Sequence, residues 1–238
     1  MCLVVLAFQV SEVPLLVAAN RDELHARPTR DAGWWPDMPD VLAGRDLEAG
    51  GTWLGVHRAG RFAAVTNHYD KQPPSGTFES RGRLVTDFLL GTQDPMHYLQ
   101  SIDAAAFAGF NLLLGDTRRL GYLSNRGAGL RELPPGIYGL SNATLDDSWD
   151  KVERSKQRLA DLVDQGHPDD HALFELLADV GDGSVRAPFV IDATFGTRCS
   201  TIVRAARTGA WQFVERRFDA SGKAIGDTRQ SFDSVDTQ

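Results

Sequence analysis

The chain is predicted to adopt an α+β fold: a four-layer αββα sandwich of two stacked, mainly antiparallel sheets flanked by helix pairs. Three observations carry this. Strand-like runs come in pairs joined by short turns, helical stripes come in pairs, and the order is strands, two helices, strands, two helices, strands. Two sheets face to face with a helix layer outside each would bury every apolar stripe. A two-layer α+β fold is the alternative that the same order of elements allows.

Taken in order, residues 3–10 and 15–19 are short β-rich runs separated by Glu12-Val13-Pro14, which reads as an antiparallel hairpin. Residues 21–51 are polar and rich in Pro, Gly and Asp, with Trp34-Trp35-Pro36 inside, and are expected to form a long loop serving as a lid or binding segment. A second hairpin spans 52–56 and 62–66 around Arg58-Ala59-Gly60. Leu84, Phe88 and Leu89 then give one helical stripe, and Tyr98, Leu99 and Ile102 another. Strands resume at 110–114, 120–123 and 136–140. A helix from about Ser148 to Gly166 buries Trp149, Val152, Leu159, Leu162 and Val163. A further one starting at Pro168 buries Leu173, Leu176 and Leu177. Strands at 200–206, 211–218 and 223–232 close the chain.

The 238 residues suit a single domain, 1–238. Hydrophobic content of 42% and charged content of 24% are ordinary for a globular protein. A net charge of −7, with basic residues scattered among acids, argues against a nucleic-acid surface. The apolar start has no basic flank or small-residue cleavage site, and Glu12 interrupts it far short of a membrane span. These readings lead to the expectation of a cytoplasmic protein. Cys2 and Cys199 do not form a disulfide framework, and without a Cys-x-x-Cys no structural zinc is expected. No metal or required cofactor is expected.

Cys2 is the first candidate for chemistry. Removal of Met1 would leave a thiol and a free α-amine on one residue. That amine, with an ordinary pKa of about 7.7–8.0, can take the thiol proton, a terminal-amine version of nucleophile plus base. The competing reading is a small buried residue at a strand start. The second candidate is Asn20-Arg21-Asp22-Glu23, which ends the second strand and so falls beside Cys2 in a hairpin. Either it is a charged turn, or Arg21 favours the thiolate while Asp22 accepts from the α-amine. Asn67 and Asn142 follow strands and offer neutral donors for an oxyanion, though Asn is also a common turn residue. Arg198 opens the last sheet segment, either as an anion anchor or as a solvated strand-start residue.

Met1-Cys2-Leu3, Asn20-Arg21-Asp22-Glu23, Arg27-Pro28, Gly44-Arg45-Asp46, Gly50-Gly51-Thr52-Trp53-Leu54-Gly55, Val65-Thr66-Asn67, Gly139-Leu140-Ser141-Asn142 and Thr197-Arg198-Cys199-Ser200-Thr201 follow one another along nearly the whole chain. This series resembles the NRDE family, which includes the transport and Golgi organisation type proteins. The resemblance implies an N-terminal-nucleophile (Ntn) hydrolase-like αββα fold, distantly akin to cysteine amidases. It implies catalytic roles for Cys2, Arg21, Asp22, Asn67, Asn142 and Arg198; those amidases space the Arg and Asp further apart than Arg21 and Asp22 stand here.

Two functions follow as expectations. One is a cysteine amidohydrolase acting on a small amide or thioester. The other, implied by eukaryotic relatives, is a haem-trafficking chaperone or a lipid or acyl-CoA-related carrier using the same cleft. Asn20, Glu23, His25, Trp34, Trp35, Trp53 and His68 are the expected ligand-contacting residues, and His25, His57 and His68 the histidines near the mouth. Haem is thus a candidate ligand. No Cys-x-x-Cys-His is present for covalent attachment, and His167 and His171 straddle a helix start as a poor metal pair.

Overall fold

The computed structural model describes residues 2–71, 75–127, 129–166, 168–181 and 186–235; Met1 and His167 lie outside them. A six-stranded sheet takes β1 (Leu3–Phe8), β2 (Leu15–Leu24), β10 (Gly136–Leu140), β11 (Phe195–Ala205), β12 (Ala210–Phe218) and β13 (Ala224–Asp233) in the order β10-β1-β2-β11-β12-β13. A seven-stranded sheet runs in chain order through β3 (Thr29–Trp35), β4 (Met38–Asp46), β5 (Leu54–His57), β6 (Arg61–Asn67), β7 (Phe110–Gly115), β8 (Leu120–Ser124) and β9 (Leu130–Leu133). Every pairing in both sheets is antiparallel. Helices α1 (Gly82–Leu90) and α2 (Pro95–Ser101) cover the second sheet, and α3 (Asp150–Asp164) and α4 (Asp170–Leu177) the first.

Three apolar layers follow from the alternation of side chains along each strand. Val4, Leu6 and Phe8 of β1 and Leu15, Val17 and Ala19 of β2 meet Leu54, Val56, Phe62 and Leu113 between the sheets. Leu3, Val5, Leu16 and Ala18 point the other way, onto Val152, Leu159, Leu173 and Leu177 of α3 and α4. Val65, Leu112 and Leu114 pack on Val85, Phe88 and Leu99 of α1 and α2. The expected αββα sandwich is therefore the observed one. Neither helix pair includes a helix long and apolar enough to cross a membrane.

The helix ends are set locally. Asp94 caps α2, accepting from Met96 and His97, with Pro95 in its first turn. Gly166, at φ 123°, stops α3 where the sequence placed the stop. Helix α4 starts at Asp170 behind an Asp169 cap that accepts from Ala172, two residues later than the expected Pro168.

Two sequence expectations are overturned. Residues 21–51 are not a long loop: they contain the end of β2 and the β3–β4 hairpin. The segment is polar because β3 is a sheet edge with its first residues turned to solvent, so its composition imitates a loop. Likewise Asn20-Arg21-Asp22-Glu23 does not end the strand but continues it, since β11 pairs with β2 as far as Leu24. Strand β9 was not expected from the sequence; it too is an edge strand, with Arg131 and Glu132 exposed.

Candidate active site

Cys2 stands one residue before β1, an interior strand held between β10 and β2. The alternation that puts Val4 between the sheets also places Cys2 on that inter-sheet face. Arg21 shares the face, two residues beyond Ala19, and is directly opposite Cys199 on β11. Asp22 points the other way, toward the helix layer.

A bulge in β11 completes the arrangement. The register shifts between Thr197 and Cys199, leaving Arg198 as the extra residue, so Thr197 lies beside Asp22 while Cys199 lies beside Arg21. Thr197 Oγ1 donates to Asp22 Oδ1 at 2.7 Å. Arg198 turns outward, and its Nη1 donates to the carbonyls of Leu24 (2.8 Å), His25 (3.2 Å) and Arg27 (3.3 Å).

Cys2 is half-buried and fixed through its backbone. Its N–H donates to Asn142 Oδ1 at 2.9 Å; its carbonyl accepts from Ser141 Oγ at 2.6 Å and from Lys151 Nζ at 3.4 Å. Asn142 Nδ2 donates in turn to the Asn67 carbonyl at 2.7 Å. A donor on one side and an acceptor on the other fix which way the Asn142 amide faces. The loop carrying Asn142 is braced from the second sheet: Thr66 Oγ1 donates to the Ser141 carbonyl at 2.6 Å, and Asn111 Nδ2 to the Ala143 carbonyl at 2.8 Å. Asn142 thus ties the first residues of β1 to the end of β6 across the two sheets.

The thiol faces a cleft of about 380 Å³ whose lining includes Arg21, Asp22, Glu23, Trp53, Asn67 and Arg81. The Arg21 guanidinium lies 4.2 Å above the Trp53 ring centroid and 3.7 Å from Glu23. Burial raises the Asp22 carboxyl to about 6, against the opposing pull of the Thr197 hydrogen bond, Lys151 and Arg21. Burial also lowers the Lys151 ammonium, with Asp22 and Cys2 acting in the other direction. The second cysteine has a different environment. Cys199 is buried, desolvation pushes its thiol well up, and the neighbouring Glu215 carboxyl is raised by the same cause.

Of the residues proposed from sequence, Cys2, Arg21, Asp22, Glu23, Trp53 and Asn67 line one cleft, and Asn142 holds it together. Asn20 borders a small recess behind Cys2 and directs its amide to the Leu177 and Pro188 carbonyls, both at 2.8 Å. Others do not line the cleft. Trp34 packs on Phe232 and under Arg58, and Trp35 is buried with its indole on the Ala43 carbonyl. His25 meets the Asp192 carbonyl at 2.9 Å, His68 pairs with Asp70 at 3.4 Å, and His57 accepts from the Ala59 N–H. Among the described residues no three His, Cys, Asp or Glu side chains converge on a metal position.

Sequence reasoning missed Lys151, Ser141 as a donor, Thr197 and Arg81. Ser141 and Thr197 lie inside the family motifs but carried no assigned role, and Lys151 left a signal of its own: it precedes Ser155, Leu159 and Val163 at four-residue intervals, a charge on the buried stripe of α3.

The strand order and the two stacked sheets define an Ntn-hydrolase-like fold. It resembles that of the mutant C2A conjugated bile acid hydrolase from Clostridium perfringens, with a TM-score of 0.55 at 10% identity over 100% of this chain and 98% of that one. A family profile described as Transport and Golgi organisation 2 matches residues 1–220, and the chain belongs to that family. It is 33% identical to the Transport and Golgi organization protein 2 homolog of Bos taurus, over 91% of this chain and 92% of that protein. It is 32% identical to the Mus musculus homolog over the same shares.

Proposed function

We propose that this chain is a cysteine amidohydrolase of the Ntn type, with Cys2 attacking the carbonyl of a small amide or thioester. The observation that supports this most is the fixing of Cys2 by Asn142 and Ser141 at the edge of a cleft lined by Arg21, Asp22 and Asn67. Once Met1 is removed, the nitrogen beside Asn142 is an α-amine. It takes the thiol proton, the sulfur attacks, and a tetrahedral oxyanion forms. In this reading Asn67 and the second Nδ2 hydrogen of Asn142 supply neutral donors to that charge. The C–N or C–S bond to the leaving group then breaks, the leaving group takes the proton from the ammonium, and an acyl-Cys2 remains. Water, giving its proton to the amine, attacks the acyl carbon, releases the acid and restores the thiol. Arg21 favours the thiolate by its charge, and Asp22, with its carboxyl at about 6, is mostly anionic at neutral pH and holds the ammonium.

Haem, lipid or acyl-CoA carriage in the same cleft has less support, because charged side chains such as Arg21, Glu23, Arg27 and Arg81 stand in the lining and His25, His57 and His68 lie outside it. The reading is tested with acyl p-nitroanilides and acyl thioesters of graded chain length. Turnover that disappears in Cys2→Ala supports it; equal turnover by Cys2→Ala, or none by the parent on any member, contradicts it.

A further inference from the structure

The carboxylates around the Cys2 cleft are already matched. Glu23 lies 3.7 Å from Arg21 and 3.9 Å from Arg27, Asp46 lies 2.7 Å from Arg27, and Glu79 lies 2.6 Å from Arg83. Asp22 is engaged by Thr197. Arg81 is the exception. It lines the cleft at the entry to α1, and among the described residues no carboxylate pairs with it. Its one hydrogen bond runs from Nη1 to the Gly109 carbonyl at 3.1 Å, which leaves most of its five donors unused. Burial pulls this guanidinium down from its ordinary value, while Cys2, Glu23 and Asp70 act in the other direction. A partly buried cation with no described carboxylate in ion-pair range, lining the same cleft as Cys2, is arranged to receive an anion.

We infer that the cleft takes substrates carrying an oxyanion group, a carboxylate or a phosphate, next to the scissile bond, and that Arg81 is the specificity-determining residue that pairs with it. This rests on reading the cleft as the substrate site of Cys2, but its test does not require turnover. The intact protein is alkylated with iodoacetate or iodoacetamide, which differ in charge and little in shape, and labelling of the Cys2 peptide is timed by mass spectrometry. The parent should favour iodoacetate relative to a free thiol. Arg81→Gln should lower the iodoacetate rate by about tenfold more than the iodoacetamide rate, and Arg81→Lys should restore part of the difference. Acetate or inorganic phosphate should protect Cys2, and the stronger protectant identifies the group. An unaltered ratio in Arg81→Gln, equal loss of both rates, or no protection by either anion would overturn the inference. A chain that shows the charge preference yet hydrolyses no amide or thioester would retain the anion site and lose the amidase reading.

Discussion

The N–H of Cys2 and the side-chain oxygen of Asn142 lie 2.9 Å apart, although 140 positions separate them along the chain, and the same Asn142 amide reaches the Asn67 carbonyl at 2.7 Å. One side chain therefore joins the Cys2 backbone, the β10 exit and the end of β6. Asn142→Ala leaves a part-buried donor and a part-buried acceptor without their partners, and a fully buried group of this kind costs about 1–3 kcal/mol. Thermal unfolding should show a clear loss of stability. The iodoacetamide rate at Cys2 should change as the β1 start loses its tether. An unchanged melting temperature would contradict this role.

Asp22 sets a pH dependence whose sign is fixed. Its folded-state value of about 6 is above the ordinary 3.8, so the folded chain holds this proton more tightly than the unfolded one. Its contribution is fully present below pH 3.8 and is lost as pH rises through about 6, worth about 3 kcal/mol at most. Asp22→Asn, which keeps an acceptor for Thr197, should remove that slope. Unfolding free energies of the two proteins at pH 4 and pH 7 measure it: the variant should gain relative to the parent at pH 7.

Lys151 helps to keep Asp22 from rising further, since its charge opposes the effect of burial. Lys151→Met should therefore move the Asp22-linked midpoint to higher pH. The same stability comparison, run as a series between pH 4 and pH 8, detects the shift; a midpoint that stays in place or falls would contradict it.

Gly51 lets α1 approach the cleft. A β-carbon there would stand 2.7 Å from the Gly82 carbonyl carbon and 2.8 Å from its oxygen, and both are backbone atoms. Gly51→Ala should displace the start of α1 and cost about 1–3 kcal/mol, read as a lowered midpoint in urea. It should also alter the Arg81-dependent preference for iodoacetate, because Arg81 immediately precedes that helix.

Much of this was legible in the sequence, and the rest was hidden for physical reasons. Alternating runs such as 3–10 and helical stripes such as Leu84, Phe88 and Leu89 expose the sandwich, because each reflects one buried face. The β3–β4 hairpin did not show itself, since an edge strand with a solvated face has no apolar alternation to read. Asn20-Arg21-Asp22-Glu23 looked like a turn because strand continuation there depends on pairing with β11, some 175 residues away. Cys2, Arg21 and Asp22 could be singled out by position and by the family pattern. That Arg21 and Asp22 face opposite sides of the sheet follows from alternation, but the Thr197 partner depends on a bulge that no local residue signals. Arg81 belongs to a polar stretch like many others, and only the folded cleft distinguishes it.

The two cysteines should react very differently. Cys2 borders the cleft, whereas Cys199 is buried with its thiol pushed well up. Native alkylation followed by peptide mapping should label Cys2 and leave Cys199 unmodified until the chain is unfolded.

The mass of the N-terminal peptide, from protein quenched seconds after mixing with an acyl thioester, tests the central claim most directly. A peptide that begins at Cys2 and carries the acyl group on its sulfur is the predicted result. A peptide that still begins at Met1 and carries no acyl group would contradict the account, because the α-amine it assigns as base would not exist.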